Sequence, residues 1–181
     1  ISDLYKKEYG VEMSVVRNLP SVKRENKLLC QQLLPLGKFV LLLQGAGINK
    51  DRGAEVLIEA MQLLPNQFLL VLIGSGDAWC DLKEKSHQLK LLEKVMFIEK
   101  IPFLQLAQYT RQAHLGLSLD KPNCINHQLS LPNKIFDYIH AGIPVLASDV
   151  VEVKKIIDIY NVGVCINEVT PNKIKDAVLW I

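Results

Sequence analysis

Six short apolar runs recur along the chain from residue 39 onward, each separated from the next by a turn and an amphipathic stretch. The runs lack regular polar alternation, which is typical of strands covered on both faces in a parallel sheet. Their alternation with helical stretches predicts a doubly wound, Rossmann-like α/β domain of about six strands with helices on both faces. The predicted strands are Phe39–Leu43, Phe68–Ile73, Val95–Ile98, Leu115–Leu119, Pro144–Ala147 and Val162–Ile166.

The stretches between the runs carry helix signals. Arg52–Leu64 has apolar residues at helical spacing. We expect Asp77 to cap the next helix, Gly142 to end the helix Lys134–His140, and Thr170 to cap the last helix. Ligands of such domains bind beyond the carboxyl ends of the strands, so the loops that follow the strands are where function is expected.

The first 36 residues do not follow this pattern. We predict a short helix at Asp3–Tyr9, a strand at Met13–Arg17 and a polar linker at Ser21–Lys27. Because the chain starts at Ile1 and stops inside an apparent helix, we interpret it as a piece of a longer protein. Residues 1–36 are then a remnant of an interdomain region, and residues 37–181 are one domain.

The composition argues against several classes of protein. The net charge is +2, with basic residues spread along the chain, which disfavours a nucleic-acid surface. The four cysteines are far apart and form no Cys-x-x-Cys, so a reducing, cytoplasmic setting fits better than a disulfide framework or structural zinc. No apolar run reaches the roughly 20 residues that span a membrane. No Asp-x-Asp metal motif occurs.

Two glycine-containing loops follow the first two strands. Gly45–Gly53 contains Lys50 and Arg52 close to a helix start, where a phosphate is favoured. It matches neither a dinucleotide fingerprint nor a Walker A loop, and a flexible turn with solvated cations is an equally good interpretation. For Gly74–Asp77 we favour a simple turn that leads into a capped helix.

The third loop, Asp120–Leu131, is longer than most strand–helix connections and leads into a second helix start. Free amides there, together with Lys134, can bind an anion. Asp137, one turn further on, can accept hydrogen bonds from sugar hydroxyls. The alternative is an ordinary capped helix with an exposed lysine.

The stretch Leu131–Ser148 resembles the donor-site signature of group 1 retaining glycosyltransferases, the GT4-like family with the GT-B fold. Bacterial members have a pattern Pro-Asn-Lys-x-Phe-Glu-Tyr-x-x-x-Gly-x-Pro-Val, and the chain matches it from Pro132 to Val145, with Asp137 at the Glu position. The resemblance extends over Val15–Ile166, and its upstream pieces stand in the family's order: Gly45–Met61, Ile73–Gly76 and Val95–Ile101, with Glu99 replacing a glycine.

The resemblance implies a C-terminal donor-binding domain, one half of a GT-B fold, whose N-terminal acceptor domain is absent from this chain. It implies that the catalytic cations are Arg52 and Lys134, on the leaving nucleotide diphosphate, and that Asp137 binds the ribose. The implied donor-binding residues are Gly45, Ala46, Lys50, Lys100, Ile101, Ser130, Leu131, Asn133 and Asp137. The chain departs from the family at Ala46, often Arg or Lys there, and at Leu129, often Glu.

The implied activity of the full-length protein is transfer of a sugar, hexosyl-type, from a nucleotide sugar to a glycan, a lipid carrier or another acceptor, as in polysaccharide biosynthesis. We expect no metal or other cofactor, and no activity from the isolated chain. The acceptor would bind through the missing domain, which also allows peripheral association with the inner face of the membrane. Two alternatives stay open: a nucleotide-sugar 2-epimerase-like protein, and a non-catalytic nucleotide-binding module.

Overall fold

The structure, a computed structural model, describes residues 1–16, 31–121 and 123–181. Its six strands are Phe39–Gly45 (β1), Phe68–Gly74 (β2), Val95–Glu99 (β3), Leu115–Ser118 (β4), Val145–Ser148 (β5) and Gly163–Ile166 (β6). They form one sheet in the order β3-β2-β1-β4-β5-β6, and every neighbouring pair is parallel. All six predicted strands and their parallel arrangement are confirmed.

Helices connect the strands, as predicted. Within the described ranges they are Ser2–Tyr9 (α1), Ala54–Leu63 (α2), Trp79–Gln88 (α3), Phe103–Gln112 (α4), Ile125–Gln128 (α5), Lys134–Ala141 (α6), Val151–Tyr160 (α7) and Pro171–Trp180 (α8). None of these helices is both long enough and apolar enough to cross a membrane.

The sheet is covered on both faces because successive side chains of each strand point to opposite sides. Leu41 and Leu43 of β1 belong to a core with α2, α3 and α8, whereas Val40 and Leu42 belong to a second core with α6 and α7. Two cores on opposite faces of one parallel sheet are the doubly wound arrangement that the uninterrupted apolar runs predict.

Local signals at the helix ends were mostly correct. Gly142 ends α6 with a left-handed φ of 73°, and the Oγ1 of Thr170 accepts a hydrogen bond from the amide of Lys173 at 3.4 Å. The predicted cap at Asp77 is wrong, because no side chain caps α3. Instead, the Oδ1 of Asp77 accepts a hydrogen bond from the backbone amide of Lys50 at 2.8 Å.

The chain before the sheet is partly as predicted. Helix α1 is present, and Gly10 ends it. The predicted strand is wrong for residues 13–16, which are irregular and exposed, because no strand in the described part of the chain supplies hydrogen bonds to them. Close to the predicted boundary at residue 36, Leu34 is buried in the second core, and its amide donates to the side chain of Gln112 at 3.3 Å.

Some predictions fall outside the described residues. These are the Arg17 end of the predicted strand, the linker Ser21–Lys27 and the thiol of Cys30. Cys80, Cys124 and Cys165 are free thiols.

The strand order places a topological switch between β1 and β4. From β1 the chain moves outward to β2 and β3, and it then crosses back to build β4, β5 and β6 on the other side. The contact between the halves is short, since β4 pairs with β1 only through Leu41–Leu115 and Leu42–Gly116 in the described sheet. Connections diverge from the carboxyl ends of β1 and β4 and leave a crevice there, which is where ligands bind in open α/β sheets.

Candidate active site

A cleft of about 290 Å³ lies at this switch, at the carboxyl ends of β1 and β4. The first and third predicted ligand loops, far apart in sequence, form its walls. The lining residues are Leu43, Gln44, Gly45, Ala46, Gly47, Ile48, Asn49, Arg52, Ala54, Asp120, Pro132, Asn133 and Lys134. The cleft therefore unites the glycine loop after β1 with the start of α6.

Arg52 and Lys134 meet at one carboxylate. The Nη1 of Arg52 lies 3.2 Å from Oδ1 of Asp120, and the Nζ of Lys134 lies 3.4 Å from Oδ2 of the same residue. The Asp120 side chain is only 5% exposed, compared with 16% for Lys134 and 35% for Arg52. Two cations from different halves of the sheet thus converge on one buried anion, and their combined charge exceeds that of the carboxylate.

The charge state of Asp120 follows from these neighbours. Burial opposes ionisation of its carboxyl, but the positive charges of Lys134 and Arg52 outweigh burial, so the pKa of Asp120 lies below its usual value. Its backbone is also held, because the Oγ of Ser148 donates to the carbonyl oxygen of Asp120 at 2.6 Å. Asp120 is therefore an ionised, well-anchored group at the base of the cleft.

Two helices begin at the cleft. Ala54, the first residue of α2, lines one wall, and Lys134, the first residue of α6, lines the other. The amides of Asn133 and Lys134 donate no hydrogen bond to another described residue. Helix starts carry partial positive charge and unpaired amides, so they add to the field of the two cations. Charge and free amides together favour an anion in this cleft.

At Gly45 the glycine loop leaves open space on the side that faces the cleft. A side chain added at Gly45 would meet only the amide nitrogen of Gly47, at 3.9 Å. Packing of the protein therefore does not require a glycine at position 45. Since Gly45 lines the cleft, the missing side chain leaves room for a bound group to approach the backbone.

The other side of the loop rests against the turn after β2. A Cβ at Gly76 would lie 2.1 Å from the carbonyl oxygen of Ile48, so only glycine permits this approach. Hydrogen bonds hold the two segments together in both directions. The amide of Asp77 donates to Oδ1 of Asn49 at 3.2 Å, and the Asp77 carboxylate accepts from the amide of Lys50 at 2.8 Å. The turn thereby supports the loop that bears Arg52.

Asp137 lies one turn after Lys134 and is half-buried. Its Oδ2 accepts a hydrogen bond of 2.9 Å from the side-chain amide of Gln44, the residue before Gly45. Burial raises the pKa of Asp137 above its usual value, against the opposing effects of the Gln44 hydrogen bond and of His140. The next residue, Tyr138, is fully buried, and its hydroxyl lies 3.1 Å from the carbonyl oxygen of Leu42.

The remaining predicted donor-binding residues lie outside the lining of the cleft. The Nζ of Lys50 points away and forms an ion pair of 2.7 Å with Asp81 on α3. Ser130 donates through its hydroxyl to the carbonyl oxygen of His127 at 2.9 Å. Of the other three, Lys100 is exposed after β3, whereas Ile101 and Leu131 pack against the second core.

Asp120 is the site residue that sequence reasoning missed. It follows β4 closely, so its position at the carboxyl end of a strand was a usable signal.

Leu129, where many family members have Glu, follows the short helix α5, and its amide donates a hydrogen bond to the carbonyl oxygen of Ile125 at 3.1 Å. Among the described residues, no group of three or more His, Cys, Asp and Glu side chains is arranged to hold a metal ion.

Comparison with known families agrees with this geometry. The sequence model of "Glycosyl transferases group 1" matches residues 38–181, which is most of the chain. The chain belongs to the group 1 glycosyltransferases. The match includes the glycine loop, Asp120 and the start of α6, so the cleft lies inside the family domain. No curated protein matches the chain significantly in sequence.

Several solved structures share the fold of this group 1 domain. WaaG, a glycosyltransferase involved in lipopolysaccharide biosynthesis, aligns over 98% of this chain and 40% of its own, with a TM-score of 0.65 and 17% identity. TarM of S. aureus aligns over 98% of this chain and 34% of its own, with a TM-score of 0.76 and 13% identity. HepE of Anabaena, in complex with UDP, aligns over 80% of this chain and 39% of its own, with a TM-score of 0.69 and 16% identity.

This chain thus spans 40% or less of each of those proteins. At these identities the likeness establishes the fold, and the predicted Rossmann-like half of a GT-B glycosyltransferase is confirmed.

Proposed function

We propose that the cleft binds the diphosphate of a nucleotide sugar and that the full-length protein transfers the sugar, hexosyl-type, to a glycan, a lipid carrier or another acceptor. One observation carries the proposal: Arg52 and Lys134 converge on buried Asp120 between two helix starts. A diphosphate carries more negative charge than one carboxylate and can accept hydrogen bonds from both cations at once. It would therefore compete well with Asp120 for them.

The proposed chemistry follows from this charge arrangement. When the bond between the sugar and the diphosphate breaks, negative charge develops on the leaving nucleotide diphosphate. Cations and amide dipoles that are already in place stabilise that charge without reorganising, which is usually the largest catalytic term. We propose that Arg52 and Lys134, together with the amides at the start of α6, serve here in place of a divalent metal ion.

Asp137 is proposed to bind the ribose. It follows Lys134 by one helical turn and touches Gln44 at the rim of the cleft, so a nucleoside attached to a diphosphate in the cleft is within its reach. The structural relatives support a nucleotide at this kind of site. HepE of Anabaena has been solved with UDP and with UDP-glucose, and TarM of S. aureus with UDP.

A binding screen tests the first half of the proposal. UDP, GDP, UDP-glucose, GDP-mannose and inorganic pyrophosphate would be titrated calorimetrically into the chain of residues 1–181. We expect at least one nucleotide diphosphate to bind, with and without EDTA, and pyrophosphate to compete with it. If no nucleotide or pyrophosphate binds to the folded chain, the cleft is not a diphosphate site and the proposal fails.

Activity tests the second half, in a full-length protein that carries this domain. Replacing Lys134 by Ala is expected to lower kcat by roughly 10²–10³, the typical cost of losing one preorganised donor to a developing anion. Lys154→Ala is the matched control, because Lys154 forms an exposed ion pair with Asp149 outside the cleft. Undiminished turnover of Lys134→Ala would exclude the assigned role. Accumulation of an epimerised sugar without acceptor would indicate an epimerase instead of a transferase.

A further inference from the structure

Gln44 is buried at the penultimate position of β1, directly before Gly45, with 2% of its surface exposed. Its side chain joins two helices. The Nε2 donates to Oδ2 of Asp137 on α6 at 2.9 Å, and the Oε1 accepts from the hydroxyl of Thr110 on α4 at 2.8 Å. Its backbone amide adds a third bond, of 3.3 Å, to the hydroxyl of Tyr138. Both the nitrogen and the oxygen of the side-chain amide therefore have hydrogen-bond partners, which fix its orientation.

The two oxygens of the Asp137 carboxylate have different environments. Oδ2 is engaged by Gln44, whereas Oδ1 has no hydrogen-bond partner among the described residues. A carboxylate held at one oxygen presents the other in a defined direction, where it can accept a hydrogen bond from a hydroxyl group. Asp137 itself lies outside the lining of the cleft, but its partner Gln44 lines the cleft next to Gly45, so the carboxylate is held beside the proposed diphosphate site.

We propose that Gln44 is a positioning residue for ribose recognition: it fixes the Asp137 carboxylate so that the site favours ribonucleotides over deoxyribonucleotides. The inference rests on the proposed function, because it requires a nucleoside diphosphate in the cleft. Gln44 acts through Asp137 and contributes nothing directly to the phosphates. Its effect is therefore confined to the hydroxyl groups of the nucleoside, which separates it from Arg52 and Lys134.

Glutamine suits this position because one amide both donates and accepts. A glutamate would bring a second anion against Asp137, and an apolar side chain would leave the carboxylate free to rotate. Gln44→Met is the most informative variant, since it nearly conserves volume in the core. It leaves Thr110 satisfied, because the Thr110 hydroxyl also lies 2.8 Å from the carbonyl oxygen of Leu106. The variant is therefore expected to fold.

The test compares affinities for UDP, GDP and their 2′-deoxy and 3′-deoxy forms, with inorganic pyrophosphate as the probe of the phosphate site alone. The chain is expected to prefer the ribonucleotide over at least one deoxy form by about tenfold, as for loss of one hydrogen bond to a charged group. Gln44→Met should lower that preference at least threefold, by the same reasoning, with pyrophosphate affinity unchanged. Asp137→Asn should lower the preference as well.

Gln112→Met is the matched control. Gln112 is the last residue of α4 and, like Gln44, bridges through its side-chain amide, but its partners are the backbone of residues 31, 33 and 34, away from the cleft. It should leave the ribose preference intact.

An unchanged preference in folded Gln44→Met would overturn the inference and leave the proposed function standing. An equal loss of pyrophosphate and nucleotide affinity would also overturn it, because the role would then be structural. Absence of any nucleotide binding by the unaltered chain would instead overturn the proposed function.

Discussion

The Nζ of Lys134 and the Oδ2 of Asp120 lie 3.4 Å apart beside the seam between the two halves of the sheet, and both residues belong to the half that contains β4, β5 and β6. Each group holds the other in the cleft. The lysine begins α6 and the aspartate follows β4, so their pairing places a cation against unpaired helix amides. The same carboxylate must release that cation, at least in part, when a diphosphate enters.

Replacing Asp120 by Asn should separate stability from affinity. The variant leaves two cations near a neutral group, so the free energy of unfolding should fall by about 1–3 kcal/mol, as for other part-buried pairs that lose one partner. Pyrophosphate should bind more tightly, because no carboxylate competes with it. Urea denaturation and calorimetry measure the two effects. Weaker pyrophosphate binding in a folded Asp120→Asn protein would contradict this account.

The two carboxyls of the site should respond oppositely to pH. The pKa of Asp120 is lowered by folding, so its contribution to stability is present at neutral pH and is lost as pH falls below about 4. The pKa of Asp137 is raised by folding, so its ionisation at neutral pH opposes folding.

Stability measured from pH 3 to pH 7 therefore tests both directions. Relative to the unaltered chain, Asp120→Asn should lose least stability at the acid end, and Asp137→Asn should gain most at the neutral end. Parallel pH profiles for all three proteins would show that neither carboxyl is linked to folding in this way.

Gly45→Ala should impair ligand binding without harming the fold. The added methyl group has only the Gly47 amide nitrogen within 4 Å, at 3.9 Å, so the melting temperature should stay close to that of the unaltered chain. Nucleotide diphosphate affinity should fall about tenfold, because the methyl group lies where the ligand approaches the backbone. Gly76→Ala is the contrasting variant, since its methyl group would collide with Ile48 and lower the melting temperature. Full affinity of Gly45→Ala would show that the ligand does not approach there.

The pair formed by Asn49 and Asp77 should stiffen the glycine loop. Asp77→Ala removes the acceptor for the Lys50 amide, and Asn49→Ala removes the acceptor for the Asp77 amide. Amide hydrogen exchange of residues 46–52 should accelerate in each variant, whereas exchange in β1 should not. Each change should also weaken diphosphate binding through Arg52. Unaltered exchange in both variants would mean that these bonds do not hold the loop.

The fold was readable from the sequence because its signals are local or periodic. Apolar runs such as Phe68–Ile73 are long enough to be buried on both faces, and Gly142 and Thr170 act within a few residues. The predicted strand at Met13–Arg17 failed over its described part because a strand needs a neighbour, which the pattern of one segment cannot reveal.

The site was readable only in part, because its contacts join distant segments. Arg52 and Asp120 are 68 positions apart, and Gln44 and Asp137 are 93 apart. Arg52 and Lys134 were singled out as charges near helix starts and given their roles by the family resemblance, whereas Asp120 and Gln44 come to the cleft only when the strands align. Lys50 was assigned with Arg52 from proximity in sequence, but a loop has no periodicity to show that its amine turns to Asp81.

The short pairing between β1 and β4 has a consequence for how the domain comes apart. All seven residues of β1 are paired with β2, whereas only Leu41 and Leu42 are in register with β4 in the described sheet. A nucleotide that contacts Arg52 on one side and Lys134 on the other would bridge the two halves of the sheet where their strand pairing is shortest. If force is applied between residues 39 and 166, we expect the ligand-free domain to unfold first by separation of β1 from β4. With nucleotide bound, the force needed for that separation should be higher.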